Sequence, residues 1–161
     1  MTKTERLPGE SRGDSRLDNS ETELKMPTQK PILLADDSED DQVLFKRAIR
    51  LAALHEQVVA VSDGAQAIAY LKGAGPYADR DKHPLPRMVV LDLRMPQKTG
   101  FEVLQWIKTQ PELAGIPVVV IAGTERPDDL KRSYELGAKA FLTKPCKPQE
   151  LKQLTDEFKD N

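Results

Sequence analysis

The sequence predicts a doubly wound, five-stranded parallel sheet with helices on both faces. Five short runs rich in Val, Ile and Leu recur along the chain, each followed by a helical pattern. The third to fifth runs show little polar alternation, as expected of parallel strands covered on both sides. Three runs end in charge. Ile32-Leu33-Leu34-Ala35 leads into Asp36-Asp37, Met88-Val89-Val90-Leu91 into Asp92, and Ala140-Phe141-Leu142-Thr143 into Lys144-Pro145. Open parallel sheets gather function at the carboxyl ends of their strands.

Residues 1–29 are expected to form a disordered leader. Charges of both signs alternate there with Ser, Thr, Gly and Pro, and Leu7, Leu17, Leu24 and Met26 stand alone. Such a stretch buries too little apolar area to offset chain entropy. Residues 30–161 read as one domain. The first strand is Ile32–Ala35. Ser38 then caps a helix from 39 to about 53, with Asp41 three residues on. Leu44, Ala48, Leu51 and Ala52 are assigned to its apolar face, flanked by Phe45 and Ile49. The second strand is 57–61, and a helix over 65–72 stops near Gly73. The stretch 73–87 holds Gly73, Gly75, Pro76, Pro84 and Pro86 and predicts an irregular surface loop, either a tolerated insertion or a docking loop. After the third strand, 88–91, a helix over 101–109 carries Phe101, Leu104 and Ile107 on one stripe. The fourth strand is Val118–Ala122, and a helix over 128–136 ends at Gly137, a left-handed cap. Ala140–Thr143 is the fifth strand. The last helix starts near Pro148 and buries Leu151, Leu154 and Phe158.

Composition narrows the function. The chain has 161 residues, 39% of them apolar and 31% charged, with a net charge of -2. Its basic residues are scattered, so nothing points to nucleic acid. No apolar stretch approaches the roughly 20 residues of a membrane span, and the N-terminus has no signal-like run. Cys146 is the single cysteine and forms no internal disulfide, which fits a reducing cytoplasm. The three charged strand ends would assemble Asp36, Asp37 and Asp92 with one ammonium, Lys144. Carboxylates that close repel one another unless a cation sits among them. Lys144 supplies one positive charge, and an oxygen-seeking divalent ion such as Mg2+ would supply the rest. An acidic pair at a helix start would also favour the helix dipole without any metal.

Leu34-Ala35-Asp36-Asp37, Val90-Leu91-Asp92-Leu93-Arg94-Met95-Pro96 with Gly100, and Phe141-Leu142-Thr143-Lys144-Pro145 together resemble the receiver domain of two-component response regulators. The resemblance runs from about Lys30 to the C-terminus. It implies a flavodoxin-like, CheY-like fold. Gly75-Pro76-Tyr77-Ala78-Asp79 is similar to the single-domain regulators associated with bacterial phytochromes. By resemblance, Asp92 is the phosphoacceptor and Lys144 contacts the phosphoryl group. Asp36, Asp37 and Asp92 would hold Mg2+ with the backbone carbonyl of Arg94. Phe141 would be the aromatic switch, and Lys144-Pro145 a cis peptide bond. The partners implied are a sensor histidine kinase or phosphotransfer protein and an unknown downstream protein, with a homodimer as one form the chain can take. The short remainder after the fifth helix leaves no room for an output domain, so output is expected through proteins. Catalysis is expected only on itself.

One position departs from the pattern. The family carries Ser or Thr at the end of the fourth strand, where the hydroxyl binds the phosphoryl group and couples it to the switch. Counting back from Lys144 places Ala122 there. Thr124 could replace that hydroxyl if Gly123 bends the loop inward, backbone N–H groups could suffice, or switching could be weak. A lost hydrogen bond to a charged group costs roughly 1.5–3 kcal/mol, enough to weaken a switch without abolishing it. His55, His83, Trp106, Cys146 and the Lys131-Arg132 pair read as loop, packing or solvated residues. Two rivals stay open. One is a receiver-fold interaction module that works without phosphorylation. The other is an aspartyl-phosphate hydrolase, whose Asp-x-Asp-x-Thr signature Asp92-Leu93-Arg94-Met95-Pro96 lacks.

Overall fold

The computed structural model describes residues 30–159, so the predicted leader 1–29 lies outside the described residues. The strands are β1 (Ile32–Ala35), β2 (Val58–Val61), β3 (Met88–Asp92), β4 (Val118–Ala122) and β5 (Ala140–Thr143). The helices are α1 (Glu39–Leu51), α2 (Gly64–Lys72), α3 (Gly100–Lys108), α4 (Pro127–Glu135) and α5 (Pro148–Glu157). All five strands are parallel, in the order β2-β1-β3-β4-β5. The order reverses beside β1, so the crevice outside the ends of β1 and β3 is the natural place for a site.

The pleat sorts the side chains. Ile32 and Leu34 of β1, with Val90 and Ile121, face α1 and α5 and pack with Phe45, Ile49 and Leu151. Leu33, Leu91 and Val120 face the other way and pack with Ala67, Tyr70, Val103 and Leu104 of α2 and α3. Both faces are covered, which is why β1, β3 and β4 bury every residue.

Two expectations about α1 need correction. Its buried face is Phe45, Ala48, Ile49 and Ala52, while Leu44 and Leu51 are 48% and 65% exposed. The spacing 45/48/49/52 is the i, i+3, i+4, i+7 stripe, rotated about one residue from the assigned one. The helix also ends at Leu51, because Ala53 turns left-handed at φ 59°. Ala53 N–H donates to Arg50 O at 3.0 Å and Leu54 N–H to Ile49 O at 3.2 Å, closing the last turn. The same closure ends α4 at Gly137 (φ 104°), whose N–H donates to Tyr134 O.

The stretch 73–87 is a built loop. It contains a 3-10 turn, Gly75–Tyr77. Arg80 Nη1 donates to Tyr70 O (2.8 Å) and His83 O (3.1 Å), and Nη2 to Leu71 O (2.7 Å). The guanidinium thus caps the C-terminal carbonyls of α2, where the helix dipole favours a cation. The buried Tyr70 hydroxyl donates to Pro84 O at 2.8 Å, and the rings of Tyr77 and His83 pack against its ring, tilted and edge-on respectively. Arg80→Ala should therefore cost about 2 kcal/mol in urea unfolding, since it leaves part-buried carbonyls unpaired. A change below about 0.5 kcal/mol would show that water replaces the cap.

Candidate functional site

Each charged side chain is carried to the sheet edge by a buried strand. Asp36 follows β1 and is 1% exposed, and Asp92 ends β3 at 5%. Asp37 is one residue further out and exposed. One carboxylate oxygen from each of Asp36, Asp37 and Asp92 lies within 4.8 Å of the others. Lys144, just past β5, reaches across β4 to this cluster. Its Nζ lies 2.9 Å from Asp36 Oδ2, 2.9 Å from Asp92 Oδ2 and 2.8 Å from Asp41 Oδ2. The Lys144-Pro145 bond is cis.

Backbone donors complete the set. Ser38 N–H donates to Asp36 Oδ1 at 3.0 Å, and Arg94 N–H donates to Asp92 Oδ1 at 3.1 Å. Gln42 Nε2 donates to Asp36 O at 2.6 Å and pins the β1–α1 turn to the helix. Burial pushes the Asp92 carboxyl above its ordinary range, assisted by the charge of Asp36, while the Lys144 and Arg94 hydrogen bonds pull the other way. Burial alone would lower the Lys144 ammonium, but its bonds to Asp41, Asp92 and Asp36 hold it above the usual lysine range. The donors are all hard oxygens, with no imidazole or thiolate among them, which fits a cation such as Mg2+, Ca2+ or Mn2+. Beside them a cleft of about 540 Å3 opens between Asp37, Arg94, Thr99, Phe101 and Asp129.

Residues 32–156 match the family described as the response regulator receiver domain. The chain belongs to that family. Among curated relatives, Rcp1 of Synechocystis sp. is 37% identical over 122 residues, 76% of this chain and 81% of Rcp1. Among solved structures, the bacteriophytochrome response regulator AtBRR superposes with a TM-score of 0.74 at 37% identity, covering 83% of this chain and 94% of AtBRR. The phosphorylated cyanobacterial phytochrome regulator RcpA gives 0.68 at 35%, covering 83% and 93%. The Mn(2+)-bound form of Rcp1 gives 0.66 at 35%, covering 81% and 91%. The receiver is thus a two-component response regulator domain related to phytochrome regulators. Among the described residues no helix is long and apolar enough to cross a membrane.

The receiver brings Asp36, Asp37, Asp92 and Lys144 together, with the Arg94 backbone alongside. It does not bring Thr124 in. Thr124 is exposed in the β4–α4 loop, and no hydrogen bond among the described residues draws it toward Asp92. Ala122 is buried at the end of β4, in register with Thr143. Phe141 is partly buried against the core cluster on the α3 side. Trp106 packs against that same cluster, two turns into α3. Asp41 is the residue that sequence reading missed, having been read only for its place in the first turn of α1. Its signal is its position one turn beyond Asp37, on the helix end that opens the site. Cys146, two residues past Lys144, is largely buried, and that burial pushes its thiol up to about 12. Thiolate at pH 8 should then be about a thousandfold scarcer than in an ordinary cysteine. Reaction with a disulfide reagent should be correspondingly slow until urea unfolds the chain. Equal native and unfolded rates would overturn that.

Proposed function

We propose that Asp92 is the phosphoacceptor of a phosphorelay, loaded by a sensor histidine kinase or phosphotransfer protein and read out by a downstream protein in the cytoplasm. One observation carries the reading. The Asp92 carboxylate is buried at the strand end, held by Lys144 with Asp36 and Asp37 beside it, and an open cleft lined by Asp37, Leu93 and Arg94 adjoins it. A carboxylate oxygen of Asp92 attacks the phosphorus of the donor phosphohistidine. The O–P bond forms as the N–P bond breaks, and the donor nitrogen leaves to take up a proton. Little covalent help is needed, so positioning and charge dominate.

The three N–H groups of Lys144 point to Asp41, Asp36 and Asp92, and on loading the one on Asp92 Oδ2 would pass to a phosphoryl oxygen. Asp41 and Asp36 fix the ammonium in that place. Asp37 and Asp92, with Asp36 beside them and the Arg94 carbonyl as a further ligand, would hold Mg2+. When bound, the ion neutralises charge on the phosphoryl oxygens. The Mn(2+)-bound form of the related Rcp1 supports a divalent cation in this receiver. Water attacking the acyl phosphate resets the site, so turnover is confined to the receiver's own phosphate. Repacking of Phe141 and α4 would carry the signal. Ala122, with no hydroxyl, favours a second reading in which partners bind without phosphate.

Intact mass after incubation with acetyl phosphate and Mg2+ separates the two. The wild type should gain one phosphoryl group, and Asp92→Asn should gain none. Absence of the adduct in a folded wild type, with partner binding unchanged in Asp92→Asn, would establish the phosphate-independent module instead.

A further inference from the structure

The residue that touches the phosphoacceptor through its backbone also touches α4 through its side chain. Arg94 N–H donates to Asp92 Oδ1 at 3.1 Å, and Arg94 Nη2 lies 3.7 Å from Asp129 Oδ2 in the first turn of α4. The pair spans the mouth of the cleft beside Asp37. Asp129 is itself held within α4. The backbone carbonyl of Asp129 accepts from the buried Ser133 hydroxyl at 2.7 Å. Arg132, on the same helix, lies over the Phe101 ring at 4.2 Å, a second contact between α4 and the α3 side of the cleft.

These contacts matter because α4 has little else. Ser133 is its one fully buried residue, whereas α3 buries Gly100, Val103, Leu104 and Ile107. A helix with so few buried apolar contacts is the element most easily displaced. Ala122 also removes the hydroxyl that would tie a phosphoryl group to β4. What remains is charge. Asp129 offers Arg94 one negative charge, while a phosphoryl group on Asp92 offers close to two and a geometry that guanidinium grips with two bonds.

We propose that Arg94–Asp129 is a charge latch. It holds α4 against the β3–α3 loop until phosphoryl charge on Asp92 draws Arg94 away and frees the helix. Asp129 acts through Arg94, as a positioning residue. The proposal rests on Asp92 being the phosphoacceptor, and it gives this chain a switch that needs no hydroxyl at Ala122.

Hydrogen exchange of the full chain tests it, read over residues 127–135 with Mg2+, with and without beryllofluoride as the phosphoryl mimic. In the wild type the mimic should speed exchange of α4. Asp129→Asn should already exchange about two- to fivefold faster without the mimic, the range that exposed ion pairs give. Its response to the mimic should shrink by more than half. Asp128→Asn removes the neighbouring first-turn charge, which makes no ion pair with Arg94 among the described residues, and should behave as wild type. An Asp129→Asn that keeps the full response, or an Asp128→Asn that loses as much, overturns the latch while Asp92 still binds the mimic. A wild type that binds no beryllofluoride overturns the phosphoacceptor reading, and the latch falls with it.

Discussion

Lys144→Met should destabilise the metal-free receiver by about 3 kcal/mol at neutral pH, the low end for removing one partner of a buried ion pair. The low end applies because the Lys144 side chain keeps 18% of its surface, against 1% for Asp36 and 7% for Asp92. Methionine preserves most of the apolar stem and removes only the charge. Asp36 and Asp92 would then face each other across the place the ammonium occupied. Two conditions should restore the loss. Mg2+ should add more stability to the variant than to the wild type, because it binds the folded cluster and not the dispersed chain. Acid should help as well. Burial already raises the Asp92 carboxyl above its ordinary range, so the folded state holds this proton more tightly than the unfolded state. Stability from such a group is greatest below the unfolded value and falls as pH rises through the folded one. Lys144 lowers the folded value, so without it that fall should be larger and run to higher pH. Urea titrations at pH 5 and pH 7, each in EDTA and in Mg2+, give the four numbers needed. An equal Mg2+ increment in wild type and variant would mean that Lys144 does not balance the carboxylates.

Much of this was legible in the sequence, for identifiable reasons. Parallel strands covered on both faces have to be apolar throughout, so β1, β3 and β4 announce themselves without any partner being known. Their carboxyl ends share one edge by topology alone, which places Asp36, Asp37, Asp92 and Lys144 near each other before any distance is measured. The legibility fails where the outcome depends on rotation or reach. The α1 face was read one residue off because Leu44 and Leu51 are apolar yet 48% and 65% exposed. Nothing in the local pattern says which of two adjacent stripes meets the sheet. Asp41 was missed because its bond to Lys144 joins residues 103 positions apart. Arg80 was missed for a similar reason. Its partners are backbone carbonyls, which have no sequence signature. Thr124 was a reasonable substitute for the hydroxyl missing at Ala122, and its side chain is exposed in the β4–α4 loop, a placement that local sequence does not determine.

Gly100→Ala should damage both the stability of the receiver and its loading with phosphate. The glycine is part of the recognised motif, but its reason appears only in three dimensions. It opens α3, is buried, and its N–H donates to Leu93 O at 3.1 Å, stapling the helix onto the end of β3. A methyl group added there would lie 2.5 Å from Asp92 O and 2.8 Å from Leu93 Cα. Both are backbone atoms and cannot rotate aside. Either the staple breaks or the end of β3 moves, and the residue displaced is Asp92 itself. Overpacking of this kind costs about 3 kcal/mol when backbone has to yield. Displacement of the nucleophile by about 1 Å costs roughly a hundredfold in rate. The variant should therefore unfold at lower urea and load phosphate from acetyl phosphate about a hundredfold more slowly at saturating Mg2+. Gly115→Ala is the control, since an added methyl there meets nothing within 4 Å. It should load phosphate at the wild-type rate. If Gly100→Ala loses stability but loads at a normal rate, the loop over residues 93–99 absorbs the clash and Asp92 keeps its place. That outcome would put the rigidity of the site in β3 and Lys144 and not in the seating of α3.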